Sequence, residues 1–121
     1  MPPPDRNDPL LAAVVSALAG VRSNQRVLVI GEAPLLCRAL SAAARCDLVP
    51  KGPADVVVAL SAPDVPEAVA QTLPGGRVVA VAANLAAAQR TADLHGLALQ
   101  HHEQVSGAVA WSARRRAQGL A

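Results

Sequence analysis

The apolar residues of this chain fall into short continuous runs, separated by segments in which apolar and polar residues follow helical spacing. The runs at 26–30, 55–60 and 77–82 are apolar almost throughout, which is typical of strands covered on both faces. Helical segments lie before and between them, and this alternation predicts a parallel sheet with right-handed crossovers. After the last helical segment, 97–105 and 108–114 predict an antiparallel hairpin around a Ser-Gly turn. The fold class is therefore α/β.

Helix boundaries are marked by capping residues. Asp8 followed by Pro9 is an N-cap before the proline tolerated at the first helical position, and Gly20 ends this helix. Asp64-Val-Pro-Glu67 is a capping-box pattern in front of another helix. The predicted helices are 9–19, 34 to about 44, 65–73 and the segment between Asn84 and Gly96.

The core has to be built from Val, Leu and Ala, because the chain has one Trp and no Phe or Tyr. The lack of aromatic stacking platforms and the net charge of +2 argue against a nucleic-acid partner. No apolar run approaches the roughly 20 residues of a membrane span, and Met1–Asp8 lacks the apolar segment of a secretory signal. We expect no membrane association and a cytoplasmic location, with Cys37 and Cys46 as reduced core thiols rather than a disulfide or redox pair.

The length of 121 residues is enough for one domain with its own core. The Pro-rich, polar start over residues 1–8 predicts a disordered lead. The domain is expected to span 9–116, followed by a short tail at 117–121.

Three segments carry a resemblance to a known family. Val27-Leu-Val-Ile-Gly31 is an apolar strand that runs into a Gly turn, Asp55-Val-Val-Val-Ala-Leu60 is an aspartate followed by apolar residues, and Leu73-Pro-Gly-Gly-Arg-Val-Val-Ala-Val81 joins a turn to a strand. In this order, with a final helix and hairpin, residues 10–116 resemble a class I S-adenosylmethionine-dependent methyltransferase. The resemblance implies a three-layer Rossmann-like fold with a mostly parallel sheet, and S-adenosylmethionine as the cofactor if the protein is active.

The chain departs from that family at the cofactor loop. The acidic residue that the family carries two positions before its first glycine is Val29 here, and the next two glycines fall at Ala33 and Leu35. Glycines are needed there because a Cβ would collide with a cofactor approaching the backbone. The family's second acidic residue would fall near Val49 or Pro50, and Asp47 lies at the wrong end of that segment. The cofactor motif is therefore degenerate, and no bound cofactor is expected.

Only Pro50-Lys-Gly-Pro53 separates the second-strand segment from the next strand. A parallel crossover takes about a dozen residues. Four residues reach at most about 17 Å, whereas the path from the end of one strand, around a packed layer, to the start of a strand two positions away is at least about 20 Å. The sequence therefore predicts a minimal fold that lacks the usual second- and third-strand half. Cys46–Val49 would be a loop under the sheet or a short antiparallel edge piece. Val27–Ile30 would then lie at or near a sheet edge and need cover from that segment, a second copy or another protein.

The candidate cofactor residues are Gly31, Glu32 and Ala33, whose backbone N–H groups at a helix start could hold an anion. A plain strand-to-helix turn fits the same residues. Ser61 follows a strand end where active family members often keep polar residues, but it has no base nearby in sequence. Asp55 is either a relic of family chemistry or a solvated strand start. No catalytic residue is assigned.

No metal site is predicted either. His101 and His102 are adjacent on a strand and point to opposite faces, so they cannot chelate one ion together. His95 suits the end of a helix, where it favours the dipole. Arg114-Arg-Arg116 is interpreted as a solvated basic end of the last strand, with contact to an acidic partner as the alternative.

Two functional classes remain open. The favoured one is a degenerate methyltransferase-like domain, a pseudoenzyme that acts as a binding or assembly module through homodimer or protein-partner contacts. The alternative is an S-adenosylmethionine-dependent methyltransferase, active by itself or completed by a partner subunit. A dinucleotide-binding oxidoreductase fragment is disfavoured because the first turn lacks that family's glycine fingerprint.

Overall fold

The computed structural model describes residues 8–43 and 45–116. They form a six-stranded sheet with helices on both faces, which confirms the α/β class. The disordered lead and the tail fall on 1–7 and 117–121, outside the described residues, and both stay predictions. Asp8, which the domain boundary assigned to the lead, is the N-cap of the first helix.

The sheet is mixed, with four parallel strands and an antiparallel C-terminal pair. Its order is β2-β1-β3-β4-β6-β5. Strands β2, β1, β3 and β4 run parallel, β6 runs antiparallel to β4, and β5 closes the hairpin. The strands are β1 Arg26–Ile30, β2 Asp47–Leu48, β3 Ala54–Ala59, β4 Thr72–Ala82, β5 Leu97–Val105 and β6 Ala108–Arg115. The helices are α1 Pro9–Ala19, α2 Pro34–Ala43, α3 Val65–Gln71 and α4 Leu85–Leu94, with a 3-10 turn at Ala62–Asp64.

Alternation along β3 produces the three layers. Val56 and Val58 pack into the cluster under α1 and α2, and Val57 packs into the cluster under α3 and α4. All three are fully or almost fully buried, as expected of a central parallel strand. The first cluster holds Leu and Val side chains, whereas α3 and α4 contribute mainly small residues to the second, including Ala68, Ala88 and Ala92.

The ends of α1 and the start of α4 follow their capping signals. The Asp8 carboxylate accepts a hydrogen bond from the Leu10 N–H at 2.9 Å, and Gly20 ends α1 with a φ of +53°. The Asn84 side chain accepts from the Ala87 N–H at 2.8 Å. Not every apolar residue of α1 lies on its buried face, since Leu10 is 57% exposed. The buried stripe is instead Leu11, Ala12, Val15 and Ala19.

Strand arginines complete two helix C-termini. The Arg77 guanidinium donates to the Ala19 carbonyl at the end of α1, at 2.6 Å. The Arg115 guanidinium donates to the Val69 carbonyl at 3.0 Å and also to the Thr72 carbonyl. The Ala19 carbonyl lies in the last turn of α1, where a helix leaves carbonyls without an internal partner. The Val69 carbonyl also accepts from the Thr72 N–H at the end of α3, and a cation at either helix end suits the dipole. Charge-assisted contacts distant in sequence therefore secure α1 and α3.

The Cys46–Val49 prediction is wrong in direction. Asp47–Leu48 forms β2, which is parallel to β1, neither a loop nor an antiparallel piece. The strand is so short that it pairs only with Arg26 and Val27, at the start of β1. The chain therefore leaves β2 close to the level at which β3 begins. Four residues suffice because no top-to-bottom crossover has to be made.

The predicted turn at 73–76 lies inside β4. Ala54 pairs with Thr72, but Val56 already pairs with Arg77, so β4 carries extra residues as a bulge. Helix α3 accordingly ends at Gln71 rather than at 73. The Asp64 side chain does not cap α3, because residues 62–64 form a 3-10 turn that leads directly into it.

Candidate functional site

The end of β1 holds the three residues predicted to bind a cofactor. Gly31 turns the chain with a φ of +88°, a conformation that favours glycine. Glu32 is exposed, whereas Ala33 is 4% exposed and packs into the cluster under α1 and α2. The Ala33 carbonyl accepts a hydrogen bond from the Cys37 N–H at 3.0 Å, and this bond begins α2. The Ala33 methyl group is therefore part of the core.

A recess of about 190 Å³ lies beside this turn. It is lined by residues 28–31 of β1, by Pro50 and Lys51 of the β2–β3 connection, and by Glu67 and Gln71 of α3. Of the predicted site residues, the structure brings only Gly31 to this β1 recess. Lys51 and Glu67 are both exposed and carry opposite charges.

The outer edge of β1 is only half covered. The Asp47 N–H donates to the Gln25 carbonyl at 2.8 Å, and the Val49 N–H donates to the Val27 carbonyl at 2.9 Å. Successive strand residues present their backbone groups to opposite edges, so Val29 faces the same side as Val27. Within residues 8–43 and 45–116, no strand pairs with β1 on that side above Val27. The Val29 backbone groups thus lie on an open edge next to the β1 recess.

The other candidates lie elsewhere. Ser61 precedes the 3-10 turn, where its carbonyl accepts from the Asp64 N–H at 3.0 Å, and it does not line the β1 recess. The Asp55 carboxylate accepts from the Arg26 N–H at 2.9 Å and so ties the start of β3 to the start of β1. Asp47 is opposite Arg26, at the sheet end remote from Gly31. Neither aspartate therefore lies beside the predicted cofactor residues at the end of β1.

The metal-ligand and thiol residues form no cluster. In the described part of the chain, no group of three or more His, Cys, Asp or Glu side chains could hold a metal ion. Cys37 and Cys46 are both free and partly buried, and burial raises the pKa of the Cys37 thiol. Between residues 8 and 116 no helix is long and apolar enough to cross a membrane.

Sequence reasoning missed the residues that build the β1 recess from its other side. Lys51, Glu67 and Gln71 were not candidates, because Lys51 belongs to a short connection and the other two to a short helix. The signal that could have identified them is the brevity of that connection. Because the connection is short, residues 50–53 run close to β1 and α3. Gly52 packs against α3 so closely that a Cβ would lie 2.7 Å from the Gln71 carbonyl oxygen.

No protein-family model matches the chain, and no curated protein matches it. Solved structures do match. The structure of TrmN from Thermus thermophilus aligns with a TM-score of 0.57 and 19% identity, over 92% of this chain and 50% of that one. The M. jannaschii tRNA m1G37 methyltransferase aligns with a TM-score of 0.66 and 9% identity, over 89% and 49%. The fold is that of the S-adenosylmethionine-dependent methyltransferases.

These matches establish the methyltransferase fold and nothing finer, since the identities are low. The chain spans about half the length of those two structures. The same fold aligns with the [4+2]-cyclase SpnF, at a TM-score of 0.61 and 11% identity over 90% of this chain and 81% of that one. A protein with this fold is thus named for a reaction other than methylation, and activity has to be argued from the site.

Proposed function

We propose that this protein is a non-catalytic methyltransferase-like domain that assembles with another protein chain through the open edge of β1. The observation that carries the proposal is the early end of β2. An apolar strand, Leu28–Ile30, keeps an uncovered outer edge where the full fold would continue its second strand. An extended segment from a second copy or a partner protein would continue the line of β2 and pair with that edge.

The edge has the features of a strand-addition site. Unpaired backbone groups at a sheet edge are a template for another strand. Val29 supplies one outward N–H and one outward C=O, and the β1 recess beside it can take a side chain of the added strand. Lys51 and Glu67 offer that strand a positive and a negative contact at the rim. Backbone pairing would supply affinity, and the recess would supply selectivity.

The same region is poorly suited to S-adenosylmethionine. Its volume of about 190 Å³ is below the range of roughly 300–1,000 Å³ that small-molecule sites occupy. The second strand ends near the start of β1, so no carboxylate follows it at the level of Gly31. This small volume and the missing carboxylate support assembly over catalysis.

The first prediction concerns the amide protons of β1. Val29 should exchange with solvent faster than Leu28 and Ile30 in a dilute sample, because only the latter two face β3. At high concentration, or with a partner bound, Val29 protection should rise by about tenfold or more, because its N–H becomes paired. Hydrogen exchange followed by NMR on labelled protein measures all three amides in one experiment.

Leu28 and Ile30 are the internal controls, because their pairing with β3 should not depend on assembly. Sedimentation of the same samples distinguishes a second copy from a different protein. A chain that stays monomeric at every concentration and protects Val29 as strongly as Leu28 would contradict the proposal.

The second prediction concerns the alternative, a methyltransferase completed by a partner, which the match to named methyltransferases favours. About 1 mM S-adenosylhomocysteine should leave the melting temperature unchanged if no cofactor site exists. A ligand with a dissociation constant near 10 μM would add roughly 2.7 kcal/mol, which is a shift of about 10 °C or more for a domain of this size. Thermal melting with and without the ligand, on the chain alone and together with any protein that pairs with β1, separates the two, and such a shift would support the enzyme.

A further inference from the structure

A second cavity lies at the opposite end of the sheet, where the parallel strands begin. Its volume is about 290 Å³, and its lining includes Arg22, Arg77, Arg114, Asp55 and the Gly75-Gly76 pair. We call it the arginine pocket. It shares no lining residue with the β1 recess and does not include Gly31, so it is a separate cavity.

The arginine pocket has an excess of positive charge. Its lining contains three arginines, of which Arg22 and Arg114 are exposed, and one acidic residue, Asp55, which leaves two positive charges. Asp55 already accepts a hydrogen bond from the Arg26 N–H. The Arg77 guanidinium donates to the Ala19 carbonyl at 2.6 Å. Among the described residues, the side chains of Arg22 and Arg114 have neither a hydrogen bond nor an ion pair.

Two of these arginines are direct cross-strand neighbours. Arg77 of β4 and Arg114 of β6 are opposite each other in the antiparallel register, so their side chains extend from the same face of the sheet. Like charges in that position destabilise a sheet. The α1 terminus compensates Arg77 in part, but Arg114 has no counterpart. Arg114 is exposed, so solvent screens part of this repulsion, and a bound anion would remove the rest.

We propose that the arginine pocket binds a phosphate group, either free as phosphate or diphosphate or carried by a small phosphorylated molecule. Guanidinium groups match phosphate oxygens through paired N–H donors. A phosphate group carries about 1.5 to 2 negative charges at pH 7, which matches the two uncompensated positive charges. Gly75 contributes open space, because a Cβ there would meet nothing within 4 Å. The volume suits a ligand no larger than a diphosphate or a small phosphate ester.

The test is calorimetric titration and thermal melting with sodium diphosphate, glycerol 3-phosphate and acetate at one ionic strength. Diphosphate should bind and raise the melting temperature, and acetate should not. Binding of glycerol 3-phosphate as tight as that of diphosphate would identify a phosphate-ester site, and weaker binding a site for free diphosphate. Arg114→Gln should weaken diphosphate binding by about tenfold or more, the loss expected for one charge-assisted contact.

Arg114→Gln has a second signature that separates binding from folding. Without ligand it should melt no lower than the unsubstituted protein, because it removes the like charge opposite Arg77. Arg22→Gln should also weaken binding, whereas Arg90→Gln, an exposed position on α4 outside the pocket, should not. If Arg90→Gln and Arg114→Gln lost the same diphosphate affinity, the binding would depend only on the net charge of the protein, and the proposal would be wrong. A diphosphate response no larger than that to acetate would also overturn it.

Discussion

Trp111→Ala should lower the free energy of unfolding by about 3–5 kcal/mol, the loss expected when a large buried aromatic side chain is removed. Trp111 is 1% exposed and is the largest fully buried side chain of the described core. It stands opposite Ala80, and α4 covers this cluster with alanines, so few neighbours can move into the space. The cavity would therefore stay open. Urea unfolding followed by circular dichroism measures the loss, since the variant has no tryptophan left for fluorescence.

Trp111→Phe is the matched control. The indole N–H is buried without a hydrogen-bond partner among the described residues, and a buried unsatisfied donor costs about 1–3 kcal/mol. Phenylalanine removes that donor and keeps most of the ring, so the two effects partly cancel and the loss should stay below about 2 kcal/mol. Losses of equal size in the two variants would contradict this account of the site, because they would make the indole N–H, rather than the filled volume, the important group.

Elements whose signals are local could be predicted from the sequence. The apolar runs gave β1, β3 and the upper part of β4, since a strand covered on both faces must be apolar throughout. Asp8 and Asn84 fixed two helix starts because an N-cap bonds within three residues of itself. The hairpin and its Ser106-Gly107 turn were likewise found, both residues having positive φ values.

Features that depend on distant residues could not be predicted. The predicted direction of β2 was wrong. The length of four residues limits the distance that the connection can span, but it does not reveal that the preceding strand is only two residues long. The guanidinium contacts of Arg77 and Arg115 join residues 58 and 46 positions apart, and no local pattern marks them. The β1 recess was missed for the same reason, since only the fold brings Lys51 and Glu67 to the same cavity.

Gly76→Ala should be the second strongly destabilising change, by about 3 kcal/mol, toward the upper end of the range for overpacking. A Cβ at this position would lie 2.7 Å from the Asp55 carbonyl oxygen and 2.8 Å from that of Leu73. Both are backbone atoms of the bulge between β3 and β4, so neither can move away without disturbing the pairing. Chemical denaturation measures the loss.

The neighbouring Gly75→Ala separates collision from backbone strain. Gly75 has a φ of +80°, but a Cβ there would meet nothing within 4 Å, so the expected loss is the about 1–2 kcal/mol of a left-handed conformation. A loss at Gly75 equal to that at Gly76 would contradict the collision. The larger loss at Gly76 would mean that packing alone requires this glycine of the Leu-Pro-Gly-Gly segment. The resemblance of the Leu-Pro-Gly-Gly segment to a methyltransferase would then reflect the packing of the β3–β4 bulge and would not indicate a cofactor.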